Sequence, residues 1–147
     1  MKLSLLLLAV AAFGLAGCGY ADRIDPPTYL ESSEAAAREA ARLHAADIGG
    51  SYHQNVCCGS MEPLIHKGDY IVTKVTPWGN RLKGRVCGYL YHNDDGTKTA
   101  MLHRFVSGDA DTGFIASGDN NPRSESWNRV LKEDFLFEAV AIYRVAQ

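Results

Sequence analysis

From Ser51 onward the chain breaks into short β-prone runs separated by turn signals, and this alternation constrains the fold more than any other feature. The runs are Tyr70 to Val75, Val86 to Tyr91, Lys98 to Val106, Gly113 to Ser117 and Phe135 to Val145. Between them lie His66-Lys67-Gly68-Asp69, Pro77-Trp78-Gly79-Asn80, Asn93-Asp94-Asp95-Gly96 and Gly118 to Pro122, where Gly, Pro, Asn and Asp supply turn conformations. The pattern predicts a mostly antiparallel β domain over residues 51–147. Asn93 to Gly96 reads as a hairpin turn. A four-residue loop there places His92 opposite Thr97 and Val86 opposite His103, with His103 held inside the sheet.

Upstream the composition changes. Ser32 to Ala46 is rich in alanine, with Ser32 or Ser33 able to cap its start and Gly49-Gly50 able to stop it, which predicts a helix. Its apolar residues are mostly alanine, so it is expected to bury little, as a spacer or a lightly packed element. His44, near its C-terminal end, suits a surface residue complementing the helix dipole. Residues 19–30 read as a tether stiffened by Pro26-Pro27.

At the N-terminus Lys2 precedes an apolar run, Leu3 to Ala12, that is short for a membrane span and reads as a signal peptide. It ends in Leu15-Ala16-Gly17-Cys18, which resembles the bacterial lipobox. That resemblance implies a removed leader over 1–17, an acylated Cys18 and a tether and helix over 18–50. Acyl chains stabilise attachment by about 0.8 kcal/mol per buried methylene, so several chains on one cysteine hold a protein firmly to a membrane. Gly19, where many retained inner-membrane lipoproteins have aspartate, favours the periplasmic face of an outer membrane in a Gram-negative host.

About 130 residues would remain after the leader, enough for one domain. A formal net charge of −2 gives no electrostatic case for nucleic-acid binding. Besides Cys18 there are Cys57, Cys58 and Cys87. In an oxidising compartment Cys87 pairs with Cys57 or Cys58, or all three are buried free thiols.

The chemistry concentrates in Cys58-Gly59-Ser60-Met61-Glu62-Pro63. Gly59 lets another backbone approach, and Pro63 is expected to push Glu62 into an extended conformation, presenting Ser60 as a small exposed hydroxyl. A serine becomes a nucleophile when a base takes its proton, and histidine has a suitable pKa. His103 lies on the apolar run Leu102-His103-Arg104-Phe105-Val106. Asp119, in Gly118-Asp119-Asn120-Asn121, reads either as a turn former or as a carboxylate that orients His103 or organises the loops. His53, Cys57, Cys58 and His66 are ligand-type residues, yet their spacing fits no common zinc pattern and no cofactor is implied.

Taken in order, Gly-Ser-Met-Glu-Pro, Leu64-Ile65-His66-Lys67-Gly68-Asp69-Tyr70-Ile71-Val72, His103-Arg104-Phe105-Val106 and Gly118-Asp119-Asn120-Asn121 resemble the signal-peptidase and LexA-type clan of serine peptidases. The histidine followed by arginine is similar to the endoplasmic-reticulum and archaeal-type signal peptidases, where bacterial members use a lysine. The resemblance implies Ser60 as nucleophile with its own N–H in the oxyanion hole, His103 as general base and Asp119 as the aspartate of the glycine-aspartate-asparagine box. It puts Cys58 where bacterial members often have a serine that assists the hole, and a thiol is the weaker donor. Pro122-Arg123-Ser124-Glu125-Ser126 departs from the acidic pattern expected there, with Glu125 the nearest substitute for a later aspartate. Gly84-Arg85 likewise stands where the family has Gly-Asp. The implied function is a lipid-anchored serine endopeptidase taking an extended peptide from an exported protein as an added strand, with small residues preferred near the cut. The alternative is an inactive relative serving as a peptide-binding or assembly module.

Overall fold

The structure is a computed structural model that describes residues 22–56, 59–121 and 129–146. The readings placed on the leader, Cys18, Cys57, Cys58 and Glu125 lie outside the described residues. In chain order the elements are β1 (Thr28–Glu31), α1 (Glu34–Ile48), β2 (Ser51–Gln54), β3 (Tyr70–Lys74), β4 (Val86–His92), β5 (Lys98–Asp109), β6 (Gly113–Ser117), β7 (Arg129–Val130) and β8 (Phe135–Val145). The mostly β architecture expected from the alternating runs is present, as one eight-stranded sheet ordered β2-β3-β8-β4-β5-β6-β7. All pairings along that path are antiparallel, whereas β1 lies parallel to the end of β8.

The long β8 organises the sheet. One edge pairs with β3 from Glu138 to Tyr143, while the other takes β4 at Phe135–Glu138 and then β1 at Ile142–Val145. The segment expected as a tether is therefore partly a strand.

The helix differs from expectation in the same direction. Ser33 is its N-cap, accepting from the Ala36 N–H, and Gly49 at φ 65° ends it in a left-handed cap. Gly50 N–H reaches the Ala45 carbonyl and Gly49 N–H that of Ala46, the paired bonds of a Schellman stop. Ala37, Ala41 and Ala45 form a stripe that is 0–3% exposed and packs on Tyr70, Val72, Ala141 and Tyr143. Small side chains let the helix axis approach the sheet, so the alanines that predicted loose packing produce close packing instead.

Two further apolar clusters fill the sheet. Tyr89, Phe105 and Phe114 are 0–1% exposed and pack with Leu82, Val130 and half-buried Trp78. Met61, Ile65, Ile71, Val86 and Ile142 form the other, beneath the turn that carries Ser60. Full burial of each large side chain contributes roughly 1.5–3 kcal/mol.

The β4–β5 hairpin is longer by one residue than the four-residue loop predicted. Gly96 N–H donates to the Asn93 carbonyl, Gly96 sits at φ 82°, and Asn93 N–H then reaches the Thr97 carbonyl. A glycine in this left-handed position adds a bulge residue to a tight turn. His92 consequently faces Lys98, Val86 faces Arg104 and Cys87 faces His103. A one-residue slip exchanges the two faces of the strand, so the residues sharing a face with His103 are Cys87 and Tyr89 rather than Val86 and Gly88.

Candidate active site

Ser60 sits in a run of turns from Gly59 to Leu64. The Glu62 N–H closes on the Gly59 carbonyl at 3.1 Å and Ile65 N–H on the Met61 carbonyl at 3.0 Å. Glu62 lies inside these turns, and the Glu62–Pro63 bond is cis. Met61 and Ile65, 4% and 1% exposed, anchor both ends of the turn in the core. Ser60 itself is half-buried rather than exposed. A Cβ at Gly59 would stand 2.9 Å from the carboxyl carbon of Glu62, the far end of a flexible, exposed side chain.

Strand β5 brings His103 to this serine. Its Nε2 lies 3.3 Å from Ser60 Oγ, and the ring is 3% exposed. Nδ1 lies 3.1 Å from the hydroxyl of Tyr89, which reaches across diagonally from β4. Ser60 and His103, separated by most of three strands in sequence, thus meet as the chemistry requires.

Asp119 does not take the triad position. Its Oδ1 accepts from Arg104 Nε at 2.8 Å, and its Oδ2 accepts from Arg104 Nη2 and Arg23 Nη2, each at 2.8 Å. Arg104 follows His103 on the strand and so points to the opposite face. It is 2% exposed and also donates to Asp25 Oδ1 at 2.6 Å and to the Gly84 carbonyl at 2.7 Å. Burial disfavours the charge on Arg104, but Asp119 and Asp25 outweigh it and hold the guanidinium above its ordinary pKa. Asp119 thereby fulfils the other expectation for it, organising loops: it ties the turn after β6 to Arg104 and to the incoming segment around Arg23.

That turn in turn holds the serine. Asn120 N–H donates to the Ser60 carbonyl at 2.9 Å, and its side-chain amide donates to the Gly59 carbonyl at 3.0 Å. Gly118 is required there, because a Cβ would stand 2.5 Å from the Ser60 carbonyl oxygen. Neither Asn120 nor Tyr89 was singled out by sequence reasoning. Asn120 was visible as part of the Gly-Asp-Asn-Asn turn, whereas finding Tyr89 needed the hairpin register.

Beside the pair lies a groove with a cavity of about 250 Å³, lined by Ser60, Met61, Ile65, Met101, His103 and Phe137 among others. Residues from β2 and from the first half of β5 border it. Among the described residues, nothing pairs with the outer edge of β2, or with β5 on the side away from β4 before Arg104. Phe105 N–H donates to Arg85 on the β4 side. Alternation from there turns the backbone groups of Ala100 and Leu102 toward the open edge.

Cys87 is a free thiol, 0% exposed. Of the two alternatives for Cys87, a disulfide or a buried free thiol, the free thiol is the one present, and it faces the apolar cluster inside the sheet. Burial first, and then the nearby Glu138 carboxylate, push this thiol far above its ordinary pKa. Among the described residues no group of three or more His, Cys, Asp or Glu side chains is arranged to hold a metal ion, and no helix is long and apolar enough to cross a membrane. His53 stacks on Phe137, with ring centroids 5.9 Å apart. Comparison with protein-family models, with curated proteins and with solved structures finds no match to this chain.

Proposed function

We propose that the protein is a serine endopeptidase in which Ser60 is the nucleophile and His103 the general base. The observation that carries this reading is the 3.3 Å approach of His103 Nε2 to Ser60 Oγ at the end of a groove. Ser60 Oγ attacks the scissile carbonyl while its proton passes to Nε2. The resulting imidazolium returns that proton to the leaving amine as the tetrahedral adduct collapses. Water, deprotonated by the same nitrogen, then hydrolyses the ester on Ser60 and restores the serine.

The groove supports an extended peptide as the substrate. Ala100 and Leu102 on one side and β2 on the other offer unpaired backbone groups, so a peptide in register gains strand hydrogen bonds from its main chain. An anchor through acylated Cys18, at the periplasmic face of an outer membrane, belongs to the same proposal and is supported by the Leu15-Ala16-Gly17-Cys18 pattern. Its substrate would be another exported or envelope protein.

A second reading, a peptide-binding module without turnover, is favoured by one observation: among the described residues, the group at hydrogen-bond distance from His103 Nδ1 is a neutral phenol. New protein N-termini mapped in envelopes of cells expressing wild type or Ser60→Ala separate the two. The peptidase reading expects termini present with wild type and missing with Ser60→Ala. Identical termini in both would refute it.

A further inference from the structure

A serine–histidine pair works as nucleophile and base in one tautomer only. Nε2 must carry a lone pair toward Ser60 Oγ, so the ring proton must reside on Nδ1. Something has to hold that proton. The acidic residue expected to do so, Asp119, is committed to Arg104 and Arg23. Cys87 stands directly across from His103 on the same face, but burial keeps its thiol protonated and neutral. Among the described residues, the Tyr89 hydroxyl lies within hydrogen-bond distance of Nδ1, 3.1 Å away.

We propose that Tyr89 is the positioning residue of the site, its hydroxyl oxygen accepting from His103 Nδ1–H so that the ring presents an unprotonated Nε2 to Ser60. The inference rests on the peptidase reading for its meaning, though its first test does not.

The fold fixes the phenol for this role. Tyr89 is 1% exposed and its ring lies 6.4 Å from that of Phe105 and 6.1 Å from that of His103, which leaves little freedom at its first two torsions. Its place on β4 is diagonal to His103, because Cys87 faces His103 and Tyr89 faces Met101. Diagonal cross-strand neighbours of aromatic size are within reach of each other on one face. When Nε2 takes the serine proton, both ring nitrogens become donors, and the Tyr89 oxygen satisfies Nδ1–H in a site that water reaches poorly. A neutral oxygen does this less well than a carboxylate, so the base is correspondingly weaker.

The opposite arrangement, with the phenol donating to Nδ1, would leave the proton on Nε2 and the serine unactivated. The two arrangements predict shifts of opposite sign. Removing an acceptor that supports the imidazolium lowers the pKa of His103, whereas removing a donor that supports the neutral ring raises it.

The test replaces Tyr89 with phenylalanine, which keeps the packed ring. In a Ser60→Ala background, NMR titration of the His103 ring is expected to show a lower pKa in Tyr89→Phe than with Tyr89 present. The ring nitrogen shifts of the Tyr89 protein should place the neutral proton on Nδ1. In the Ser60-containing protein the acid-side rise of kcat/KM, where the base loses its proton, should move to lower pH in Tyr89→Phe, with kcat/KM reduced about 10- to 100-fold, the loss of one hydrogen bond to a charged group. A proton found on Nε2, a raised pKa or an unmoved pKa would overturn the inference. A wild type that shows the expected tautomer yet never cleaves or labels at Ser60 would instead defeat the peptidase reading and leave the tautomer assignment standing.

Discussion

Replacing Asp119 with alanine distinguishes a carboxylate that serves His103 from one that serves the scaffold. The side chain is 4% exposed and accepts three hydrogen bonds from two arginines. The main loss falls on Arg104, whose side chain is 3% exposed and keeps only half-exposed Asp25 as a charged partner. Breaking a buried ion pair by removing one member costs roughly 3–5 kcal/mol, and the surviving Asp25 contact sets the expectation near the lower limit, about 3 kcal/mol. The Arg23 contact adds little, since that side chain is 50% exposed and screened by water. For a domain of this size about 3 kcal/mol lowers Tm by roughly 10 °C. Activity per folded molecule should fall only through loosening of the Gly118–Asn121 turn, about 10- to 100-fold. Urea denaturation followed by circular dichroism, paired with rates corrected for the folded fraction, reads both quantities. A carboxylate orienting His103 would give the reverse outcome: stability nearly unchanged and kcat down about 10⁴-fold. That result would refute the assignment of Asp119 to the scaffold.

Gly118→Ala should push the Ser60 carbonyl away, since the new Cβ would lie 2.5 Å from it, and cost about 100-fold in kcat/KM, with a far smaller effect on Tm. An unimpaired Gly118→Ala protein would mean that the turn does not position the serine. Ala100→Pro removes a backbone N–H that faces the groove rather than β4, so peptide KM should rise about 10-fold with the hairpin intact, as checked by steady-state kinetics on peptides; an unchanged KM would argue against strand addition. Cys87 yields a pH prediction. Its folded pKa is raised, so its contribution to stability is fully present below the unfolded thiol value, about 8.5, and falls above it by up to ~1.4 kcal/mol per pH unit. Denaturation midpoints between pH 7.5 and 10 should show that decline in wild type and a shallower one in Cys87→Ala.

The strands that could be read from the sequence were those long enough to carry their own β-prone run, such as Tyr70–Lys74 and Phe135–Val145. The short ones, Thr28–Glu31 and Arg129–Val130, exist because β8 and β6 offer them an edge, which no local pattern records. Ser60 and His103 were legible as a candidate pair because a serine in a turn and a histidine on a strand stand out by residue type and by the turns around them. Asp119 was legible as important but not in its role. The choice between His103 and Arg104 as its partner depends on which face each side chain takes. Tyr89 was hidden for the same reason, since a single bulge residue at Gly96 moves it onto the histidine's face.

The central claim is that His103 activates Ser60, and covalent capture of the serine tests it without knowledge of the substrate. Purified protein treated with a fluorophosphonate probe and digested for mass spectrometry should carry the adduct on Ser60, and His103→Ala should abolish it while remaining folded. No adduct on Ser60, or an adduct that forms equally fast in His103→Ala, would contradict the account.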